Sequence, residues 1–270
     1  MLGRAQEDFG RRDLAAPLLD RAANAAGPDI LPVSEDTPLS VLALRYADAP
    51  ADADTAVPYV RQLLAANQMG AAGEIAERVR GLAPGSADAQ ALAGDLRFAQ
   101  GDLGGAVDRY RLSAAIRLSD SLLLRLVAAY VRAGQGGAAA GLVNGVLANS
   151  PRNPTALRLA AGFAAEAGDW QRAVKLLDYL ARSSGGRDAK VLADLSLARM
   201  RSGDVVGSRT AAEAAYRLQR ASAVTTQAWG MALAGKGGDA SLARILLAKA
   251  RKIGGDNPLL RESESRLASQ

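Results

Sequence analysis

A short pattern of small and apolar positions recurs along the chain. A Gly or Asn is followed five positions later by a small residue, and nine and twelve positions later by residues that are mostly apolar. The seven pairs of turn residue and small residue are Gly10/Ala15, Asn67/Ala72, Gly101/Ala106, Gly134/Ala139, Gly168/Ala173, Gly203/Ser208 and Gly238/Ala243. From Asn67 onward the turn residues are about 34 positions apart, which indicates a structural repeat.

The chemistry of these positions predicts two antiparallel helices in each repeat. Gly ends a helix in the left-handed conformation, which costs other residues about 1–2 kcal/mol. An Asp follows the Gly at four of the turns and is suited to cap the next helix. The small residue allows the two helices to cross closely. Pro84 and Pro151, each seventeen residues after a turn residue, prevent the second helix from continuing.

The pattern resembles that of the tetratricopeptide repeat (TPR) family. The best match comprises Gly94, Phe98, Gly101-Asp102, Ala106 and Tyr110. The next best comprises Leu126, Tyr130, Gly134, Ala139 and Pro151. The resemblance implies an all-α fold in which helix-turn-helix repeats form a right-handed α-α superhelix, or solenoid. In the composition, rich in Ala and Arg and free of Cys, the chain resembles bacterial members of the family.

The repeats predict the organisation of the chain. Residues 1–26 would form a truncated first repeat, and residues 27–55 a connector rich in Pro and Asp, with a possible short helix over Pro38–Ala47. Residues 54–257 would form six repeats, and residues 258–270 a capping helix with a polar outer face. The predicted repeats are, approximately, 54–86, 87–119, 120–153, 154–187, 188–222 and 223–257.

Two features near the start of the chain leave alternatives open. Only eight residues precede Phe9-Gly10, so we expect that further sequence, such as a leader, an anchor or more repeats, comes before Met1 in the natural protein. Three interpretations of the acidic connector stay open: a hinge, an inserted helix in the groove, or a degenerate repeat. A separate question is where the connector lies. It either folds back onto the basic array or remains solvated.

Composition excludes most catalytic chemistry. The chain has no Cys and no His, so thiol catalysis, Ser-His dyads and the usual zinc sites are excluded. The Gly134–Gly141 run follows a helix rather than a strand, which argues against a nucleotide loop. Asp48, Asp52 and Asp54 lack the Gly and Glu of a calcium loop. We therefore predict no catalytic residue, no cofactor and no metal. No apolar run is long enough to cross a membrane.

The resemblance implies that the first helices of the repeats line a concave groove where partner segments bind. The register of each turn places seven candidate residues there: Arg61, Asp95, Phe98, Arg125, Arg132, Arg158 and Glu166. Arginine side chains in a row suit carboxylates, because a guanidinium donates two parallel hydrogen bonds. The Lys and Asn that bind a terminal carboxylate in some members of the family are missing. The alternative is that these arginines solubilise the groove or pair with Asp95 and Glu166.

These observations predict a non-catalytic adaptor that binds a peptide or helix of another protein. By analogy with similar bacterial arrays, envelope assembly, secretion or exopolysaccharide export are candidate settings. One alternative is a superhelix that binds an anionic polysaccharide or nucleic acid, although aromatic residues, at 4%, are sparse for stacking on bases. The other is a helical accessory domain of a larger enzyme. The sequence leaves the compartment open between the bacterial cytoplasm and, with a missing leader, the periplasm or cell envelope.

Overall fold

The computed structural model describes residues 37–235 and 237–268, and in these ranges all regular structure is helical. The chain divides at Ser150 into two compact units. The N-terminal unit, as far as it is described, covers residues 37–149. Its helices are α1 (Leu39–Asp48), α2 (Ala53–Ala65), α3 (Met69–Leu82), α4 (Ala87–Ala99), α5 (Leu103–Ile116), α6 (Asp120–Arg132) and α7 (Gly136–Asn149).

The C-terminal unit begins at Ser150, and its described part ends at Ala268. Its helices are α8 (Pro154–Glu166), α9 (Trp170–Ser183), α10 (Ala189–Arg201), α11 (Val205–Leu218), α12 (Ala223–Leu233), α13 (Ala240–Gly254) and α14 (Pro258–Ala268). Within each unit, helices that follow one another in the chain pack against one another as antiparallel pairs. The all-α class and the helix-turn-helix repeat are thus confirmed.

The turn residues adopt the backbone conformation that the sequence predicts at five of the six described turns. Asn67, Gly101, Gly134, Gly168 and Gly203 all have positive φ angles, between 57° and 90°. At four turns an Asp caps the following helix, because its side chain accepts a hydrogen bond from the backbone N–H three residues on. These capping residues are Asp102, Asp169, Asp204 and Asp239.

The sixth turn differs from the expectation. The left-handed residue is Gly237, with φ of 74°, and not Gly238. Gly238 is needed for another reason: a Cβ atom there would lie 2.0 Å from the carbonyl oxygen of Leu233. One extra residue therefore lies between the left-handed residue and the capping Asp239, whereas Asp102 follows Gly101 directly. Counted from Gly237, Gly230 stands seven residues before the turn, as Gly94 stands seven before Gly101.

The small residues lie where paired helices cross, as the pattern predicts. Each of them is at most 1% exposed: Ala72, Ala106, Ala139, Ala173, Ser208 and Ala243. A second close approach involves the glycines of the first helices. A Cβ at Gly94 would lie 2.5 Å from the ring of Tyr110, and one at Gly230 would lie 2.9 Å from Leu247. Gly94 and Gly230 thus admit the bulky side chain of the paired helix.

The predicted short helix and the predicted capping helix both lie on described residues. Helix α1 packs on α2, and the rings of Tyr46 and Tyr59 are 5.7 Å apart. Helix α14 packs on α13, and its buried residues include Leu259 and Leu260. The predicted truncated repeat at residues 1–26 and the connector up to residue 36 lie outside the described residues.

Candidate functional site

The first helices of the N-terminal unit bring five of the seven candidate residues onto one surface. Arg61 lies on α2, Asp95 and Phe98 on α4, and Arg125 and Arg132 on α6. These five residues are called the first-helix surface below. Arg61 and Asp95 each stand six residues before their turn residue, so equivalent positions of neighbouring repeats face each other. The repeat register, rather than proximity in the chain, therefore builds this surface.

Asp95 is the hub of a charged cluster. Nη1 of Arg125 donates to both carboxylate oxygens of Asp95, at 2.9 and 2.7 Å. Nη2 of Arg61 lies 3.6 Å from the same carboxylate. The hydroxyl of Tyr110, on α5, donates to Asp95 at 2.7 Å. All three charged side chains are less than a fifth exposed. Partial burial makes their mutual neutralisation important for the fold.

Burial and the surrounding charges shift two pKa values in this cluster. Burial, followed by the charge of Asp95, raises the pKa of Tyr110 well above its ordinary value. Tyr110 therefore remains a hydrogen-bond donor throughout the physiological range. Burial also lowers the pKa of Arg61, against the opposing effect of Asp95. A guanidinium starts from so high a pKa that Arg61 keeps its charge.

Arg132 occupies a different environment from Arg61 and Arg125. Its guanidinium carbon lies 4.6 Å from the centre of the Phe98 ring, in a cation–π contact. The Arg132 side chain is exposed, whereas Phe98 is half-buried and packs on the core of α4, α5 and α6. Among the described residues no carboxylate forms an ion pair with Arg132.

The sequence did not single out two apolar residues of the same surface. Leu64 and Val131 stand three residues before their turns, as Phe98 does. Val131 is 36% exposed, and Leu64 is half-buried. The repeat register that identified Phe98 also applies to these two positions, so counting back from each turn would have found them.

The other two candidates lie in the C-terminal unit. Arg158, on α8, donates to a carboxylate oxygen of Asp194 on α10 at 3.1 Å. Asp194 is buried, so this contact is part of the packing of α8 against α10. Glu166 is half-buried at the end of α8. It stands two residues before its turn, which is the register position of Arg132 in the N-terminal unit.

The residues that the structure describes lack two kinds of feature. No helix there combines the length and the apolarity needed to cross a bilayer. No group of three or more acidic side chains in the same residues is arranged to hold a metal ion.

Comparison with solved structures identifies the fold. A chain of the APC/C hetero-tetramer Cut9–Hcn1 superposes with a TM-score of 0.67 over 98% of this chain, at 17% identity. A tetratricopeptide repeat protein from Parabacteroides merdae gives a TM-score of 0.61 over 94% of this chain and 99% of its own length, at 12% identity. The chain has the TPR fold.

Further TPR structures agree with this assignment. The C-terminal part of a TPR protein from Cytophaga hutchinsonii matches with a TM-score of 0.54 over 73% of this chain and 78% of its own length, at 13% identity. The chain spans 55% of the matched chain in the Cut9–Hcn1 structure. No family model and no curated protein matches the sequence. The TPR fold is therefore recognised from the structure and from the repeat register.

Proposed function

We propose that the protein is a non-catalytic scaffold whose first-helix surface binds a segment of another protein. The observation that supports the proposal is the arrangement of that surface. Three consecutive first helices present three arginines, one aspartate and an aromatic ring on one face, with Arg132 and Val131 exposed. A surface that combines exposed charge with apolar side chains is suited to a protein partner.

In the C-terminal unit, taken by itself, Arg158 and Glu166 are the candidate partner-binding residues. Both lie on α8, the first helix of its repeat, and Glu166 has the register position that Arg132 has in the N-terminal unit. Arg158 is already hydrogen-bonded to Asp194, so it offers a partner fewer free donors than Arg132 does. We therefore assign the binding of the partner segment to the first-helix surface of the N-terminal unit, and α8 is a separate candidate surface of the C-terminal unit.

The charge pattern favours a protein over an anionic polymer. A polyanion needs several cations in a row, because each phosphate or carboxylate contact releases a counterion. On the first-helix surface, however, Asp95 stands between Arg61 and Arg125 and neutralises part of their charge. The first-helix surface therefore lacks an uninterrupted basic stripe among its described residues.

Site-specific photo-cross-linking in the native cell tests this function. A photoreactive amino acid replaces Val131 on the first-helix surface in one variant and Leu112, which is 50% exposed on the second helix α5, in the control. We expect a discrete protein adduct from position 131 and a weaker or different pattern from position 112. Equal adducts from both positions, or adducts sensitive to nuclease or glycosidase, would contradict the proposal.

A further inference from the structure

The three arginines of the first-helix surface are not equally available to a partner. Arg125 and Arg61 both face Asp95, and Arg125 gives both carboxylate oxygens a hydrogen bond. A partner carboxylate would have to compete with Asp95 for these two groups. Arg132 has no such competitor among the described residues, and it is exposed. The charge that remains available for recognition is therefore that of Arg132.

The contact with Phe98 prepares Arg132 for one kind of ligand. Stacking on a ring occupies the flat face of a guanidinium and leaves the N–H groups at its edge free. The contact also restricts a long side chain, so less conformational entropy is lost when a ligand binds. A planar carboxylate fits the edge of the guanidinium through two parallel hydrogen bonds.

The neighbours of Arg132 determine what should stand beside that carboxylate. Leu64, Phe98 and Val131 occupy the same register position on α2, α4 and α6. Val131 precedes Arg132 in the chain and is 36% exposed. An apolar side chain of the partner would bury surface on Val131 and on the rim of Phe98.

Building on the proposed function, we infer that the first-helix surface recognises an acidic protein segment in which an Asp or Glu stands next to a large apolar residue. Arg132, stacked on Phe98, binds the carboxylate. Val131 and Phe98 contact the apolar side chain. The surface carries three arginines against one aspartate, so the remaining positive charge attracts an acidic segment and repels a basic one.

Selection from a phage-displayed library of random dodecapeptides on the full chain tests the inference. We expect the enriched peptides to contain Asp or Glu next to Leu, Ile, Met or Phe. An enriched peptide is then synthesised, and its affinity is measured by fluorescence anisotropy for each variant. Arg132→Ala should weaken binding about tenfold or more, because it removes a charge-assisted pair of hydrogen bonds.

Two further variants test the guanidinium and the ring separately, and a third is a control. Arg132→Lys keeps the charge but loses the planar guanidinium that forms two parallel hydrogen bonds, so it should weaken peptide binding. Phe98→Leu keeps the apolar volume but loses the aromatic ring, so it should weaken peptide binding as well. Arg111→Ala, at an exposed arginine on the second helix α5, should leave binding unchanged. Thermal unfolding of each variant verifies that the fold is retained.

The outcomes distinguish this inference from the proposed function. Enriched peptides without acidic residues, or peptides that bind Arg132→Ala as well as the natural chain, would overturn the inference while the scaffold function stands. A basic consensus would overturn it as well. If no peptide is enriched and position 131 also gives no protein adduct in the cell, both proposals fail.

Discussion

At the scale of single residues, Asp95 connects several helices of the N-terminal unit. It accepts hydrogen bonds from Arg125 and Tyr110 and lies close to Arg61. These partners come from α2, α5 and α6, so one carboxylate on α4 links three other helices. Its removal would leave two partly buried guanidinium groups without their anion, which is the costly way to break an ion pair.

We therefore expect Asp95→Asn to lower the free energy of unfolding by about 1–3 kcal/mol. The amide keeps an acceptor for Tyr110 but loses the charge that the arginines face. The control is Asp88→Asn on the same helix, because the Asp88–Arg117 pair is mostly exposed, with side-chain exposures of 48% and 63%. That control should cost less than about 1 kcal/mol. Urea unfolding monitored by circular dichroism measures both, and equal losses would contradict this assignment.

At the scale of helices, the crossing of α4 and α5 depends on Gly94. The ring of Tyr110 lies so close that a Cβ at position 94 would be 2.5 Å from it. Tyr110 is 2% exposed and held by its hydrogen bond to Asp95, so its ring is not free to move aside. An added methyl group must therefore separate the two helices.

The corresponding prediction concerns Gly94→Ala. We expect this change to lower the free energy of unfolding by about 1–3 kcal/mol, in spite of the higher helix propensity of Ala. Gly104→Ala on α5 serves as the control, because nothing lies within 4 Å of a Cβ at that position. The control should be neutral or stabilising by up to about 1 kcal/mol. A stable Gly94→Ala variant would show that the two helices separate without cost.

Helix pairs and their caps were predictable because they depend on local chemistry. The Gly-Asp turns and the small residues at the crossings are properties of a few neighbouring positions. The shift of the sixth turn to Gly237 was not predictable, since adjacent glycines at 237 and 238 make both registers sterically acceptable. In the register that forms, Gly230 packs closely on Leu247.

The candidate site was predictable in part for a similar reason. Repeat register placed Arg61, Asp95 and Arg125 on the same face of the first helices, and their contacts agree with the alternative in which the arginines pair with Asp95. The difference between Arg125 and Arg132 was not predictable. It depends on which side chains each guanidinium reaches in three dimensions. Arg125 reaches the Asp95 carboxylate as well as the ring of Tyr110, whereas Arg132 reaches the ring of Phe98.

At the scale of the whole molecule, α14 packs on the helices of the C-terminal unit that precede it, and Glu262 joins it to α10. Arg201 on α10 donates through both terminal nitrogens to the Glu262 carboxylate, and Arg266 donates to it at 2.6 Å. Glu264 pairs with Arg251 on α13 at 2.7 Å. The terminal helix is thus held by charge as well as by its buried leucines.

These ion pairs make the attachment of α14 sensitive to acid. Burial opposes ionisation of Glu262, but the adjacent Arg201 and Arg266 outweigh it and hold the pKa of this carboxyl below its ordinary value of 4.5. A carboxyl with a depressed pKa stabilises the folded state fully above the pKa of the unfolded chain. That stabilisation is lost as the pH falls through the lower pKa of the folded state.

Glu262→Gln should therefore reduce the hydrogen-exchange protection of α14 at pH 7. The difference from the natural chain should begin to shrink below about pH 4.5 and disappear once the pH has fallen through the lower pKa of the folded state. Glu213→Gln is the control, because the Glu213–Arg217 pair is largely exposed on α11, and it should leave α14 unaffected at every pH. A difference for Glu262→Gln that stays constant across the acid range would show that the Glu262 side chain holds α14 by its shape and not by its charge.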